Sequence, residues 1–310
     1  MPTSPDMPMP SVLAPASSEA AVLHELSQVL LAGAGLVFLG VALLLALALR
    51  RRVPGSAAGW IVGGGIALPV VALSALLLYS TARTAGLERP LADPQLVVSV
   101  TGHAWWWEVR YPAPAGAEAV VLANELRLPL QRPAQISLQA EGVIHSLWVP
   151  QLGGKRDLVP GRVNHLVFTP WQAGVYRAAC AEYCGTQHAR MALPVVAMPA
   201  ADFERWLAAQ ARPAPPAAQA TPGAQAFRAN GCAACHSVRG HHAPAGRGPD
   251  LTHVASRLTL GAGVLPNEPG SFKRWLVGVQ QLKPGARMPS YAHLDAATLD
   301  ALVAYLETLQ

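Results

Sequence analysis

Charge is scarce in this sequence: Asp, Glu, Lys and Arg make up 13 % of its 310 residues. The formal net charge of +5 is not gathered into a basic run, which argues against a nucleic-acid partner. Arg50, Arg51 and Arg52 form a tight cluster that membrane topology explains better. Residues 1–20 contain no Lys or Arg, so they lack the positive start of a secretory signal and none is expected. Cysteine is limited to Cys180, Cys184, Cys232 and Cys235. Two disulfides are the plain reading of four cysteines in an extracytoplasmic chain, but each pair sits in a dense set of other ligand-type residues. The excess is apolar. The hydrophobic share is 52 %, and much of it precedes residue 82.

Val29 to Leu49 is an apolar run of 21 residues, and Trp60 to Tyr79, with Pro69 inside, is a second of 20. A helix needs roughly 20 residues to cross the hydrocarbon core. Two membrane helices are therefore expected, over about 22–49 and 58–81, within an N-terminal unit of residues 1–90. Aromatic residues at the ends of the second run suit the lipid–water interfaces. The arginine-bearing loop between the helices belongs on the cytoplasmic side. Both termini, and everything after about residue 82, then face the periplasm of a bacterial inner membrane that the chain crosses more than once.

Residues 91–210 change character. Short β-prone stretches over 96–100, 105–111, 120–128, 134–140, 145–149, 163–169, 174–178 and 193–198 are punctuated by Gly, Pro and Asn. This predicts an antiparallel sandwich or barrel closed by a short helix over 202–210. Residues 211–222 are a Pro/Ala-rich linker, expected to be extended and semi-rigid. Helical periodicity returns in 223–310, where Leu299, Leu302, Val303, Leu306 and Leu309 share one face behind a candidate N-cap, Asp295.

Two segments carry chemistry. Cys232-Ala233-Ala234-Cys235-His236 is a C-x-x-C-H motif, whose thiols can add to both vinyl groups of a haem while the His sits under the iron. A redox dithiol or half a zinc site is the plainer alternative. Met288 supports haem, because a His/Met pair is the ligand set that raises a cytochrome's potential. The second segment, Cys180 to Met191, holds two thiols, an imidazole and a thioether within twelve residues. Spacing alone leaves zinc open, and the thioether and the β-rich surroundings favour copper.

The order of these parts resembles the cytochrome c oxidase subunit II family, with a class I cytochrome c domain fused at the C-terminus. The resemblance implies a multidomain chain: a two-helix transmembrane hairpin, an all-β cupredoxin Greek-key sandwich and an all-α class I cytochrome c. It further implies a dinuclear copper centre (CuA) bridged by Cys180 and Cys184. His188, Met191, the Glu182 carbonyl and the upstream His145 complete its ligands. The Glu182 carboxylate would bind magnesium shared with subunit I, against a plain reading as a solvated loop residue. One haem c would be held covalently by Cys232 and Cys235, with His236 proximal, Met288 distal and the Pro249 carbonyl bonded to His236. His241 and His242 are expected at the surface. Trp105 would be the exposed aromatic at which electrons enter the copper site.

Two departures stand out. Gly142 sits where the family often has an acidic residue. Residues 91–212 carry nine Asp/Glu against ten Lys/Arg, so they lack the acidic surface that attracts a basic soluble cytochrome. The implied function is electron relay in a terminal oxidase that reduces oxygen to water with proton translocation. The implied partners are subunit I, other membrane subunits, the lipid membrane and an external donor, either a soluble cytochrome or an upstream respiratory complex. A copper subunit of a nitric-oxide or nitrous-oxide reductase, or a stand-alone membrane-anchored carrier, is the rival reading.

Overall fold

In the computed structural model, residues 10–50, 55–87, 89–112, 119–241 and 246–310 are described. Arg51, Arg52 and His242 lie outside them. The apolar runs form two helices, Ser18–Arg50 and Ala57–Thr84, each a few residues longer than expected. Side chains such as Leu36, Phe38, Val71 and Leu78 are exposed along them, as a lipid-facing surface requires. Trp60–Ala67 winds as a π-helix just before Pro69, which offers no N–H to the preceding turn. Glu25 joins the helices at one end, accepting from Tyr79 Oη at 2.8 Å and from Arg83.

The first helix is also strapped to the β domain. Ser17 Oγ accepts from the Ala20 amide at 3.1 Å, as an N-cap does, and donates to Leu152 O at 2.6 Å. Glu19 accepts from the amide and hydroxyl of Thr169, at 2.9 and 2.8 Å. These bonds fix where the sandwich stands on its anchor.

The β domain is a sandwich of two five-stranded sheets. One runs β3 (Val120–Ala123), β2 (Trp106–Tyr111), β1 (Val97–His103), β5 (Ala134–Ala140), β8 (Asn164–Phe168). The other runs β4 (Leu126–Pro129), β10 (Ala192–Met198), β9 (Gly174–Cys180), β6 (His145–Trp148), β7 (Arg156–Leu158). The pairs β1/β5 and β4/β10 are parallel and the remaining pairs antiparallel. Along β1, Val98 and Val100 turn inward between half-buried neighbours, the period of two that buries one face. The single strand expected over 120–128 is two strands in different sheets. Asn124, at φ 58°, makes the break and accepts from the Trp107 amide at 2.9 Å. The three-residue β7 was too short to show a pattern. The helix Ala200–Gln210 covers one end of the sandwich through Phe203, whose ring lies 6.0 Å from Tyr111.

Residues 211–222 are not extended. They follow the surface of the C-terminal unit and include a helical turn, Pro216–Gln219. Ala214 and Ala218 are buried there, and the Ala214 amide donates to Arg239 O at 3.0 Å. Alanine side chains are small enough to let the chain settle against its neighbour. His241, expected at the surface, is half-buried instead. Tyr305 Oη lies 3.0 Å from its Nδ1, and Pro215 O lies 3.0 Å from its Nε2.

The C-terminal unit packs helices Pro222–Ala229, Ser271–Leu282 and Ala296–Glu307 around Phe227, Leu276, Leu302 and Tyr305. Asp295 caps the last helix as expected, accepting from the Thr298 amide at 2.9 Å. The first and last helices cross at Gly223, where a Cβ would stand 2.0 Å from Ala301 O. Only glycine allows that approach. The unit also has a two-stranded hairpin, Thr259–Leu260 with Leu265–Pro266, which the all-helical expectation did not include.

Candidate metal centres

β9 ends at Cys180 and β10 begins at Ala192, so the loop between them hangs from two paired strands. His145 starts β6, whose Leu147 pairs with Cys180. The fold thereby brings a residue 35 positions upstream beside the loop. Cys180 Sγ lies 3.7 Å from Cys184 Sγ, 3.7 Å from His145 Nδ1 and 3.2 Å from Glu182 O. Cys184 Sγ lies 3.7 Å from His188 Nδ1 and 3.9 Å from Met191 Sδ. Every copper ligand expected from the sequence therefore surrounds one pair of sulfurs. The sulfurs stand well beyond the disulfide distance of about 2.05 Å, and all four cysteines are free.

Burial pushes the His145 imidazole down to about 4, with the His103 and His188 rings adding to the effect. The ring is neutral near pH 7, the form that binds a metal. Burial, with Cys180 alongside, pushes the Cys184 thiol up to about 12. Two thiolates this close and this buried repel unless a cation sits between them, and a soft metal supplies that cation. The donor set fits copper. The Glu182 carboxylate is half-exposed, with Lys155 Nζ at 3.9 Å.

In the C-terminal unit, Cys232 and Cys235 lie on one helical turn, and the amides of Cys235 and His236 both donate to Cys232 O. Pro249 O stands 2.8 Å from His236 Nδ1. A carbonyl can only accept, so Nδ1 carries the proton and Nε2 keeps a lone pair for iron. Burial pushes this imidazole's pKa down, again favouring the neutral ring. The residues fit a covalently held haem. Met288 is half-buried in the same unit, on a loop whose Ala286 and Met288 carbonyls accept from Gln280 Nε2 at 2.8 and 2.7 Å.

The two units meet at Trp105. This residue lies in the turn before β2, so strand alternation does not place it. Its indole N–H donates to Cys184 O at 2.8 Å. It is half-buried rather than openly exposed, because Gly285 of the C-terminal unit stands over it: a Cβ there would lie 3.7 Å from its ring. Trp107 is fully buried in the sandwich core, and its indole N–H reaches Met191 O at 3.4 Å. Trp106 stacks on His103 with ring centres 4.2 Å apart. Sequence reasoning missed Lys283, which is buried at the junction and bonded to Trp105 O, Arg190 O and Gly261 O. Burial holds its ammonium down to about 7 while the nearby Cys184 pulls it upward. A lysine gives no sequence signal of burial.

Comparison with known proteins agrees with this division. Residues 113–198 match the family model for the periplasmic domain of cytochrome c oxidase subunit II, and residues 220–310 match that for cytochrome c. The chain is 33 % identical over 222 residues to cytochrome c oxidase subunit 2 of Alkalihalophilus pseudofirmus, covering 71 % of this chain and 63 % of that protein. It is 32 % identical over 228 residues to the protein of that name from Bacillus sp. strain PS3, covering 69 % of this chain and 62 % of the other. The chain thus spans less than two thirds of the length of these relatives. Among solved structures, the periplasmic domain of subunit II of cytochrome oxidase (CoxB) of Bradyrhizobium japonicum aligns with a TM-score of 0.35 at 24 % identity, covering 39 % of this chain and 96 % of that one.

Proposed function

This chain joins a periplasmic domain of the cytochrome c oxidase subunit II family to a cytochrome c domain, and on that premise we propose that it is the electron-relaying subunit of a haem-copper terminal oxidase. Electrons from a soluble cytochrome or an upstream respiratory complex enter at the C-terminal unit and pass to the β domain. They leave for subunit I, where oxygen is reduced to water with proton translocation. Haem and copper, when bound, supply the one-electron chemistry that side chains lack.

The protein's own groups do the positioning. Cys180 and Cys184 would hold the copper pair together with His145, His188, Met191 and the Glu182 carbonyl. Cys232 and Cys235 would anchor the haem, His236 and Met288 would hold its iron, and Pro249 O would hold the His236 ring. Trp105 would pass electrons onward because it touches the Cys184 carbonyl on one side and the C-terminal unit on the other. The Glu182 carboxylate would bind magnesium only with oxygen ligands from subunit I, in competition with Lys155. The helices anchor the chain in the membrane with both termini and both soluble units on the periplasmic side.

The observation that carries this reading is the convergence of three side chains, His145, His188 and Met191, and one carbonyl on the Cys180–Cys184 sulfur pair. Cys184→Ser in the purified complex tests it. Near-infrared copper absorption should disappear, oxygen uptake should collapse, and the haem α-band should stay unchanged because the two sites share no ligand. An unaltered copper spectrum would overturn the assignment.

A further inference from the structure

Lys283 ends the helix Ser271–Leu282 and is 4 % exposed. Its ammonium points out of its own unit. Nζ donates to Gly261 O at 2.7 Å within the C-terminal unit, and to Trp105 O at 2.7 Å and Arg190 O at 3.0 Å in the β domain. An ammonium has three donors, and three carbonyls take them. Removing such a group from water is costly, so an arrangement that left any of the three donors unmet would be unfavourable. Two of the three acceptors exist only when the units are docked.

Glu125 does the reverse from the other side. It too is 4 % exposed, on the short link between β3 and β4. One carboxylate oxygen holds Arg127 at 2.7 Å, and the other accepts from the Leu258 amide of the C-terminal unit at 2.8 Å. Between these points the Ala192 amide donates to Ala262 O at 3.0 Å, Gln187 Nε2 to Pro284 O at 2.7 Å and Arg190 Nη1 to Leu282 O at 2.6 Å. Trp105 lies within this frame, its carbonyl held by Lys283 and its indole by Cys184 O.

We propose that Lys283 and Glu125 form a reciprocal clasp and act as positioning residues for electron entry at Trp105. Each is a buried polar side chain bonded to the other unit's backbone. Together they convert transfer between two tethered units into transfer within one rigid body. The clasp rests on the relay function proposed above. It also covers Trp105, so a soluble donor reaches the copper site only through the C-terminal unit.

The test uses the intact oxidase complex carrying Lys283→Met, which keeps the length of the side chain and removes its donors. Optical spectra should show the haem and copper bands unchanged, since Lys283 is no ligand. Hydrogen exchange in peptides carrying the Ala192 and Leu258 amides should quicken by about tenfold or more, because both bonds cross the junction. Flash-induced transfer between haem and copper should slow by about tenfold and become dependent on solvent viscosity, as a reaction gated by docking does. Exchange and transfer at wild-type rates would overturn the clasp. Glu125→Ala, which removes no ligand of either metal site, keeps the test open if Lys283→Met fails to assemble. It should free the Leu258 amide and slow transfer, and no change in either would also overturn the proposal. A wild-type complex with no transfer between haem and copper would instead sink the relay function itself.

Discussion

Gln280 holds the Met288 loop from the neighbouring helix through two bonds to backbone carbonyls. The loop therefore keeps its shape whatever the thioether touches. Met288→Ala should leave haem attached through Cys232 and Cys235 and should lower its midpoint potential, because the thioether favours ferrous iron. A redox titration of the complex measures this, and an unshifted midpoint would remove Met288 from the iron. At this scale the sequence was most legible where the expected ligands are close together. Cys180, Cys184, His188 and Met191 fall on one loop, so their spacing announced a site. His145 could be named only through family resemblance, since nothing local ties it to a loop 35 residues away. Lys283 and Glu125 were not legible at all, because a charged residue reads as solvated until tertiary structure buries it.

Among the elements, the hairpin Thr259–Leu260/Leu265–Pro266 carries part of the contact with the β domain, through Ala262 O at its tip. Its tip, Gly261-Ala262-Gly263, has φ of 64°, 63° and 82°. Gly261 is left-handed and also crowded, since a Cβ would stand 2.4 Å from the Trp275 ring. Gly261→Ala thus combines backbone strain with overpacking and should destabilise the C-terminal unit by about 2–4 kcal/mol. Denaturant unfolding followed by the haem Soret band measures it, and a midpoint within error of wild type would refute the argument. The strands that alternate cleanly were readable within a few residues. The split at Asn124 was not, because β3 and β4 continue one β-prone run and only their partners assign them to different sheets.

For the whole molecule, the two soluble units dock against each other instead of standing apart on an extended linker. The junction is built from buried hydrogen bonds rather than exposed charges of opposite sign, and buried contacts are weakly screened. Transfer between the two units should change by less than about twofold from roughly 0.01 to 1 M ionic strength, although the Debye length falls from about 30 to 3 Å. Flash kinetics across that range test it. A steep fall with salt would mean that the units meet by electrostatic encounter.

The division of the chain into membrane anchor, β sandwich and haem unit was determined by the sequence alone. Each depends on local signals: apolar length, strand punctuation and C-x-x-C-H spacing act over a few to about twenty residues. Helix capping by Asp295 belongs with them, since the cap lies next to what it caps. The relation between the parts was decided by tertiary structure. The Pro/Ala segment folds back because Ala214 and Ala218 find a surface to bury against, which composition cannot foresee. Trp105 is covered, and Lys283 buried, because two separately encoded surfaces meet. The stability of that meeting rests on hydrogen bonds between residues up to 178 positions apart, a distance at which no local pattern carries information.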